Sequence, residues 1–246
     1  MPDSWLPADW PVAEHIVAGT SLRSGGASLP PYDSFNLADH VGDDPQAVCR
    51  NRERFTSLLM LPTQPVWLCQ QHTTTVVDLS HADPPSIADA SVSSAADRVC
   101  VVLTADCLPL LMCDQRGTVV AAAHAGWRGL VNGVIEKTVS AMKVDGQDIL
   151  VWLGPAIGPQ AFAVGNDVRE IFVAHSEEAE QAFVSCQPDK WHADLYALAR
   201  QRLHACGVTQ VFGGDHCTFG DASRFYSFRR DGTTGRMASV IWMRSP

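Results

Sequence analysis

Residues 98–130 read RVCVVLTADCLPLLMCDQRGTVVAAAHAGWRGL and contain three short apolar runs in close succession. The runs cover residues 98–103, 108–113 and 119–124 and are rich in residues that favour β-strands. Short apolar runs separated by turn residues are typical of buried strands. We therefore expect three adjacent, buried strands in this part of the chain.

Strand-like and helical patterns alternate along the rest of the chain. Further strands are expected at residues 12–20, 66–68, 75–77, 149–153, 211–212, 225–228 and 237–242. Loops are expected over residues 80–97, on the surface, and over residues 181–192.

Helices are expected where apolar residues recur with helical spacing. One covers residues 129–142, and others follow the N-cap residues Asp44, Asn166 and Asp194, the last helix ending at Gly207. The mixture of strands and helices predicts a single α/β (α+β) domain over residues 1–246 with a mixed sheet.

The composition indicates a globular chain with enough apolar residues for a core. Its 246 residues are 46% hydrophobic, and 27 acidic against 18 basic side chains leave a net charge of −9. An acidic chain repels nucleic acid and anionic membrane surfaces, so neither is expected as a partner. The apolar stretches are too short to cross a membrane, and residues 1–10 lack a secretory pattern. We therefore expect a cytoplasmic protein.

Eight cysteines are spread along the chain without a CxxC pair. This spacing predicts mostly free thiols in a reducing compartment rather than a disulfide framework. Cys69, Cys100 and Cys113 lie in apolar runs and are expected to be packing residues.

Three residues carry the most specific chemical signal: His72 in QQHTTTV, Cys107 in TADCLPLLMCD and His124 in AAAHAGWRG. Cys107 and His124 each lie where a predicted strand changes to a loop, the place where open sheets present chemistry. Two imidazoles and one thiolate suit a catalytic zinc site, which takes three protein ligands and keeps a fourth position open. The alternatives are a Cys107 nucleophile beside a histidine base, or a buried cysteine without chemistry.

Several arginines are candidates for binding an anionic substrate. They are Arg23 in TSLRSGG, Arg128 near a predicted helix start in HAGWRGL, and Arg229, Arg230 and Arg236 in FYSFRRDGTTGR. A guanidinium binds a phosphate or carboxylate through two parallel hydrogen bonds. The alternatives are surface arginines in turns, or an ion pair at the helix start for Arg128. Walker, GxGxxG, GxSxG and HExxH patterns are all absent from the sequence.

Eight blocks of this sequence occur in an order that resembles one enzyme family. They are TSLRSGG, SFNLADHVGDDP, QQHTTTV, TADCLPLLMCD, HAGWRGL, GPAIGPQAFAVG, HCTF and FYSFRRDGTTGR. Together they resemble the laccase-domain family, also called bacterial polyphenol oxidase or purine nucleoside phosphorylase, from about Gly19 to the C-terminus. The resemblance implies a cytosolic enzyme with an αββα layered fold and a zinc held by His72, Cys107 and His124. One departure is Gln160, which stands where the family usually has cysteine and is not among these ligands.

The resemblance further implies phosphorolysis of adenosine, inosine, guanosine and methylthioadenosine, together with deamination of adenosine. Purine nucleosides and phosphate are then the partners of a monomer or a small homo-oligomer. Arg23 is the first candidate for a phosphate contact, and Arg128, Arg229 and Arg230 are further candidates for substrate binding. Cys107 and His124 would act in catalysis as well as in metal binding.

Asp106, next to Cys107, is a third candidate catalytic residue. It would either carry a proton or orient a ligating histidine. Copper is a further candidate cofactor, because it outcompetes zinc for nitrogen and sulfur ligands. A multicopper oxidase, however, needs about ten histidine ligands, and this chain has nine histidines in total.

Two other functions remain open at this point. In one, Cys107 is deprotonated by His124 and cleaves an amide, as in the editing of peptidoglycan precursors with which some members of the family are associated. In the other, the metal is structural and the protein is a partner-binding module. A structural zinc normally has four protein ligands, and no convincing fourth ligand is visible in the sequence.

Overall fold

The computed structural model of the protein describes residues 4–80 and 87–245. The strands in this part of the chain are β1 (Trp5–Pro7), β2 (Ile16–Ser21), β3 (Val76–Asp78), β4 (Ala90–Ser93), β5 (Cys100–Thr104), β6 (Leu108–Asp114), β7 (Val120–Ala125), β8 (Ile149–Leu153), β9 (Ala163–Gly165), β10 (Phe183–Gln187), β11 (Lys190–Ala193), β12 (Gln210–Gly213) and β13 (Met237–Met243). The helices are α1 (Pro45–Leu59), α2 (Trp127–Asn132), α3 (Val134–Met142), α4 (Asn166–His175), α5 (Leu195–Ala205) and α6 (Phe228–Asp231).

A mixed six-stranded sheet has the strand order β12-β8-β6-β7-β4-β3. Strand β6 pairs antiparallel with β7 and β8, whereas β12 runs parallel to β8 and β3 runs parallel to β4. Every residue of β5, β6, β7 and β8 is buried. Strands that are buried on both faces read as continuous apolar runs, which is why the sequence revealed them. The three buried strands predicted for residues 98–124 are therefore present, but β5 belongs to a different sheet from β6 and β7.

A second, antiparallel sheet has the order β1-β2-β13-β5 and packs on one face of the first sheet. Successive side chains of a strand point to opposite faces. Val102 of β5 therefore packs in one core with Leu111 of β6, whereas Val101 packs in another core with Phe55 of α1. Helices α3 and α5 cover the remaining face of the six-stranded sheet, α3 through Ile135. The layers are helix, sheet, sheet and helix, which confirms the expected αββα arrangement and mixed α/β fold.

Two segments that were expected to be loops contain strands. Within residues 80–97, β4 is buried along its whole length and pairs with β7, where Ser91 lies opposite Ala122. Small residues on both strands conceal β4 from a search for large apolar side chains. Residues 181–192 contain the β10–β11 hairpin. Both loop predictions are therefore wrong for these strands, and residues 81–86 of the first loop lie outside the described part of the chain.

Two predicted strands are absent, at residues 66–68 and 225–228. Leu68 is buried but lies in an irregular stretch, and Phe225 and Tyr226 are fully buried in a second irregular stretch that leads into α6. Apolar side chains are buried here by packing alone, without a neighbouring strand to complete a backbone ladder. At these positions, residues are therefore buried without belonging to a strand.

The capping predictions hold for two helices of three. Asp44 accepts a hydrogen bond from the backbone of α1, and Asp194 accepts two from the backbone of α5. Gly207 follows the end of α5 with a φ of 78°. Asn166 is the first residue of α4 instead of its cap, because its side chain bonds to Asp189 and Trp191.

All eight cysteines are free, as the sequence indicated. Cys100 and Cys113 are buried packing residues, whereas Cys69 is exposed and its predicted packing role is wrong. Among the residues that the structure describes, no helix combines the length and the apolar character needed to cross a membrane.

The helix predicted over residues 129–142 is interrupted. Gly133 lies between α2 and α3 with a φ of 98°, in the left-handed region that favours glycine. Helix α2 begins earlier than predicted, at Trp127. Because of this break, α2 and α3 do not form one continuous helix. Helix α2, which follows β7, borders a cleft through Trp127 and Arg128.

Replacing Gly133 with alanine should destabilise the protein by about 1–2 kcal/mol, because a side chain disfavours this backbone region by that amount. Gly129 of α2 is the matched control, since a Cβ there meets no atom closer than 3.5 Å. Gly129→Ala should leave stability unchanged or raise it by up to about 1 kcal/mol. Urea unfolding followed by circular dichroism measures both. A Gly133→Ala variant more stable than the natural protein would show that α2 and α3 join into one helix.

Candidate metal centre and cleft

His72, Cys107 and His124 meet at one point of the six-stranded sheet. Cys107 directly precedes β6, and His124 lies near the end of β7, opposite Pro109 in the antiparallel pair. His72 comes from the loop before β3. The three ligand atoms lie within 4.8 Å of one another, with 3.8 Å between Cys107 Sγ and His72 Nε2. The structure thus brings together the three residues that the sequence singled out.

A buried aspartate, Asp89, holds two of these three residues in place. Its Oδ1 accepts hydrogen bonds from His124 Nδ1 at 2.7 Å and from the backbone N–H of His72 at 3.0 Å. Its Oδ2 accepts from the backbone N–H groups of Gln71 and Thr73, and from the Thr73 hydroxyl. The loop is thereby wrapped around the carboxylate, with His72 at a φ of 59°. A carboxylate on Nδ1 leaves Nε2 of His124 available to the cluster.

The ionisation of the cluster follows from these contacts. Burial raises the pKa of Asp89, but hydrogen bonds from His124 and Thr73 outweigh it and bring the pKa down to about 2. Burial also raises the pKa of the Cys107 thiol, yet the neighbouring His124 and His72 lower it to about 6. Burial lowers the pKa of His124, while the Cys107 thiolate and Asp89 raise it to about 9. Cys107 is therefore a thiolate at neutral pH, the form that binds metals and attacks electrophiles.

Gly126 leaves open the space in front of the three ligand atoms. A Cβ on this residue would lie 2.7 Å from the His72 ring and 2.9 Å from Cys107 Sγ, closer than atoms can approach. Any side chain at this position would fill the space between the donors. Together with two imidazoles and one thiolate, this open space fits a zinc ion with three protein ligands.

The three ligands line a cleft of about 440 Å³. One part of its wall is apolar and aromatic, formed by Trp127, Ile157, Phe162 and Phe228. The cleft also contains His40, Gln70, Asp106, Arg128, Arg229 and Arg236. Clefts of this size, with apolar walls and a few polar groups, are typical of small-molecule sites.

Each of the three arginines of the cleft stacks on one of its aromatic rings. The guanidinium carbon lies 4.6 Å from the ring centre for Arg128 on Trp127, and 5.4 Å for Arg229 on Phe162. The corresponding distance for Arg236 on Phe228 is 5.7 Å. Stacking orients a guanidinium while leaving its N–H donors at the edge.

Arg236 is the arginine most closely tied to the ligand cluster. Burial lowers its pKa, while the negative charges of Cys107 and Asp106 oppose that shift. Its guanidinium donates to the carbonyl oxygens of Thr234 and Gly235. Sequence reasoning treated Arg236 only as one basic residue of its run, since its reach toward residue 107 is a property of the folded chain.

Arg23 and Arg230 do not line the cleft. The Arg23 guanidinium donates to the carbonyl oxygens of Asp33 and Ala222, pairs with the Asp33 carboxylate, and borders a separate surface groove. Arg230 donates to the carbonyl oxygens of Thr218, Phe219 and Phe225 and pairs with Asp231. Their donors are used to hold neighbouring loops together, so the structure offers no support for either as a substrate contact.

Asp106 lies in the cleft wall but does not touch a histidine ligand. Its Oδ1 accepts from the Thr218 hydroxyl and its Oδ2 accepts from the backbone N–H of Arg229, both at 2.6 Å. The carboxylate thus joins the residue before Cys107 to the start of α6. The role of orienting a ligating histidine, one of two suggested for Asp106, is filled by Asp89.

Sequence reasoning missed Asp89, Gly126 and His40. Asp89 fell in a segment interpreted as a surface loop, although IADASVSS at residues 87–94 alternates small apolar and polar residues. That alternation is the period of a strand and could have revealed β4. Nothing in the sequence distinguishes Gly126 or His40 from other residues of their types.

Asp89→Asn should weaken zinc binding by about 10- to 100-fold, since residues that orient metal ligands contribute to affinity on that scale. The amide replaces one accepting oxygen with a donor that faces backbone N–H groups, so stability should also fall by about 1–3 kcal/mol. Asp114→Asn is the matched control. Asp114 is buried and accepts from Thr118 and Val119, but it lies at the other end of β6 from Cys107. That variant should lose stability and keep its zinc affinity, as measured by competition with a chromogenic chelator. Natural affinity in Asp89→Asn would refute the orienting role.

Known proteins match this chain over almost its whole length. The family model for multi-copper polyphenol oxidoreductase laccase matches residues 17–244. A Pseudomonas aeruginosa protein named purine nucleoside phosphorylase is 54% identical over 245 residues, which cover 98% of this chain and 99% of that protein. Purine nucleoside phosphorylase YfiH of Escherichia coli (strain K12) is 54% identical over 235 residues, covering 95% of this chain and 96% of that protein.

Solved structures share the fold. The crystal structure of a Neisseria meningitidis protein has a TM-score of 0.94 at 48% identity and covers 99% of this chain and 100% of that one. YlmD from Geobacillus stearothermophilus has a TM-score of 0.92 at 30% identity, covering 100% of this chain and 98% of that one. Sequence, fold and extent agree, and the chain belongs to the multi-copper polyphenol oxidoreductase laccase family, which includes relatives named purine nucleoside phosphorylase.

Proposed function

We propose that this protein is a zinc-dependent purine nucleoside phosphorylase of the cytosol. Its substrates would be adenosine, inosine, guanosine and methylthioadenosine, and it would also deaminate adenosine. The observation that carries the proposal is the combination of features in one cleft. A His–Cys–His donor set lies beside aromatic walls and three arginines. The names of the two relatives at 54% identity support the same activity.

The walls of the cleft suit a purine nucleoside. Phe162, Phe228 and Trp127 offer flat apolar surfaces on which a purine ring can stack, and about 440 Å³ accommodates a nucleoside with a phosphate beside it. Closure of these rings around the substrate would exclude water, which favours attack by phosphate over hydrolysis.

Phosphate binding would fall to the arginines of the cleft. Arg128 is exposed and forms no ion pair within the described residues, so its N–H donors are available to a dianion. Arg229 is exposed and uses one terminal nitrogen on the carbonyl oxygen of Ala163. Asp106 holds the backbone of Arg229 in place and would thereby align the phosphate with C1′ of the sugar.

His72, Cys107 and His124 would hold the zinc ion, which supplies Lewis acidity and, for deamination, activates a water molecule. Asp89 fixes the orientation of His124 and of the His72 loop. The same donors would also bind copper, which ranks above zinc in the divalent affinity order.

A multicopper oxidase reaction is not supported by the ligands present. Within residues 4–80 and 87–245, one group of three His, Cys, Asp or Glu side chains lies close enough together to hold a metal ion, namely His72, Cys107 and His124. A laccase-type site needs several coppers and about ten imidazoles to store the electrons for oxygen reduction. Copper in this site would therefore support slow phenol oxidation at most.

An amide hydrolase is the second candidate, and one observation favours it. The Cys107 thiolate, His124 and Asp89 form a continuous nucleophile–imidazole–carboxylate arrangement. This arrangement would act without metal, so chelation distinguishes the two functions. A thiol hydrolase stays active after zinc is removed, whereas the phosphorylase does not.

Zinc-loaded protein should release free purine from inosine, adenosine and guanosine only when phosphate is present, with ribose 1-phosphate as the second product. Cys107→Ala should abolish both zinc binding and this release, because one of three ligands is lost. Cys113→Ala removes a buried thiol of β6 outside the cluster and should retain both. Base release is followed by liquid chromatography, and metal content by mass spectrometry. Release that does not depend on phosphate, or turnover that survives chelation, would contradict the proposal.

Arg128→Ala and Arg229→Ala should raise the KM for phosphate more than the KM for inosine, because the lost donors contact the anion. Deamination of adenosine, which uses water, should suffer less. Arg23→Ala is the control: its guanidinium lies outside the cleft, so it should affect stability and leave the phosphate KM unchanged. If Arg23→Ala raised the phosphate KM and the cleft variants did not, the phosphate site would have to be moved to the groove beside Arg23.

A further inference from the structure

A purine leaves a sugar easily only when a proton reaches one of its ring nitrogens, because the departing anion is otherwise strongly basic. Phosphorolysis at this cleft therefore calls for a proton donor as well as a phosphate site. Apart from arginine, the titratable side chains that line the cleft within the described residues are His40, His72, Asp106, Cys107 and His124.

Four of these five groups are committed to other partners. His72, Cys107 and His124 form the proposed metal site, and metal binding occupies the atoms that would exchange a proton. Both carboxylate oxygens of Asp106 accept hydrogen bonds from the protein. The arginines remain protonated and do not release a proton at neutral pH. His40 is the remaining group.

His40 has the properties of a proton donor that is replenished from solvent. Its side chain is 57% exposed, and its Nδ1 lies 3.5 Å from a carboxylate oxygen of Asp39. Asp39 also pairs with Arg52 at 3.3 Å, and Arg52 stacks on Trp67. Among the described residues, no hydrogen bond engages the other ring nitrogen of His40. One nitrogen thus lies near a carboxylate, which stabilises the protonated ring, and the other remains available to a ligand.

The backbone just before His40 is hydrogen-bonded to Arg236, the residue that precedes β13. The side chain of Asn36, fully buried, accepts from the backbone N–H groups of Ala38 and Arg236 and donates to Asp43. Leu37 completes the contact with a backbone hydrogen bond to Arg236. The segment that leads to His40 is therefore anchored by hydrogen bonds to residues 43 and 236.

We propose that His40 is the general acid that protonates the purine as it leaves, an inference that rests on the proposed phosphorylase activity. As a phosphate oxygen forms its bond to C1′, the bond from C1′ to the purine nitrogen breaks and its electron pair moves into the ring. His40 gives its proton to the ring nitrogen, and the neutral base departs. The hydrogen phosphate loses its proton to water, and the neutral imidazole regains one from water, so the exchange balances.

The test compares two kinds of substrate. Inosine needs the proton, whereas 7-methylguanosine carries a positive ring and leaves as a neutral base without one. His40→Gln should lower kcat on inosine by about 10²-fold or more, the usual contribution of a general acid, and should leave kcat on 7-methylguanosine near that of the natural protein. His175→Gln, an exposed histidine at the end of α4 outside the cleft, is the matched control and should change neither. Added imidazole should restore part of the inosine activity of His40→Ala.

Each other outcome has a definite meaning. Equal losses on both substrates, unchanged activity on inosine, or no rescue by imidazole would overturn the role of His40 while leaving the phosphorylase activity intact. If the natural protein itself released no base from inosine in phosphate, the proposed function would fail, and this inference with it. Zinc content measured on every variant shows whether a loss arises from the metal centre.

Discussion

The site depends on one buried carboxylate. Asp89 is fully buried, and an ionised carboxylate costs several kcal/mol to bury unless it is paired and hydrogen-bonded. Its side chain accepts five hydrogen bonds, from His124, His72, Gln71 and, twice, Thr73. The loop can bring its donors to the carboxylate only by wrapping around it, and this wrapping places the His72 ring beside His124. The hydrogen bonds that stabilise the buried charge of Asp89 therefore also bring His72 and His124 together.

Different secondary-structure elements supply the remaining parts of the cleft. The two core strands β6 and β7 present a thiolate and an imidazole, and Gly126 keeps the space before them open. The segment from α6 to β13 supplies two arginines and one aromatic ring, and Asp106, the residue before Cys107, accepts a hydrogen bond from the backbone of Arg229 at its start. Two of the three candidate metal ligands thus lie in or beside buried core strands, whereas most of the groups that would meet the substrate come from the short helices α2 and α6 and the residues next to them. This is the usual arrangement in enzymes, in which a scaffold positions reactive groups.

Strands could be predicted from the sequence where large apolar side chains are also buried. Residues 98–124 were interpretable because large apolar residues fill strands that are buried on both faces. Strand β4 was missed because its residues are small, and the strand predicted at residues 225–228 was wrong because buried Phe225 has no strand partner. His72, Cys107 and His124 could be singled out because each lies within the strongest local pattern of its region. The roles of the arginines could not be predicted in this way. Arg23, for example, donates a hydrogen bond to Ala222, 199 residues away in the sequence, and only the fold shows which guanidinium groups already have protein partners.

Anomalous X-ray scattering from crystals of the zinc-loaded protein, recorded on both sides of the zinc absorption edge, tests the metal centre most directly. We expect one peak per chain, bounded by His72 Nε2, Cys107 Sγ and His124 Nε2, with its open side toward the cleft. A peak that lies away from these atoms, or several metal positions within one chain, would contradict a single three-ligand site. So would the absence of metal from crystals of protein that still releases purine base in phosphate.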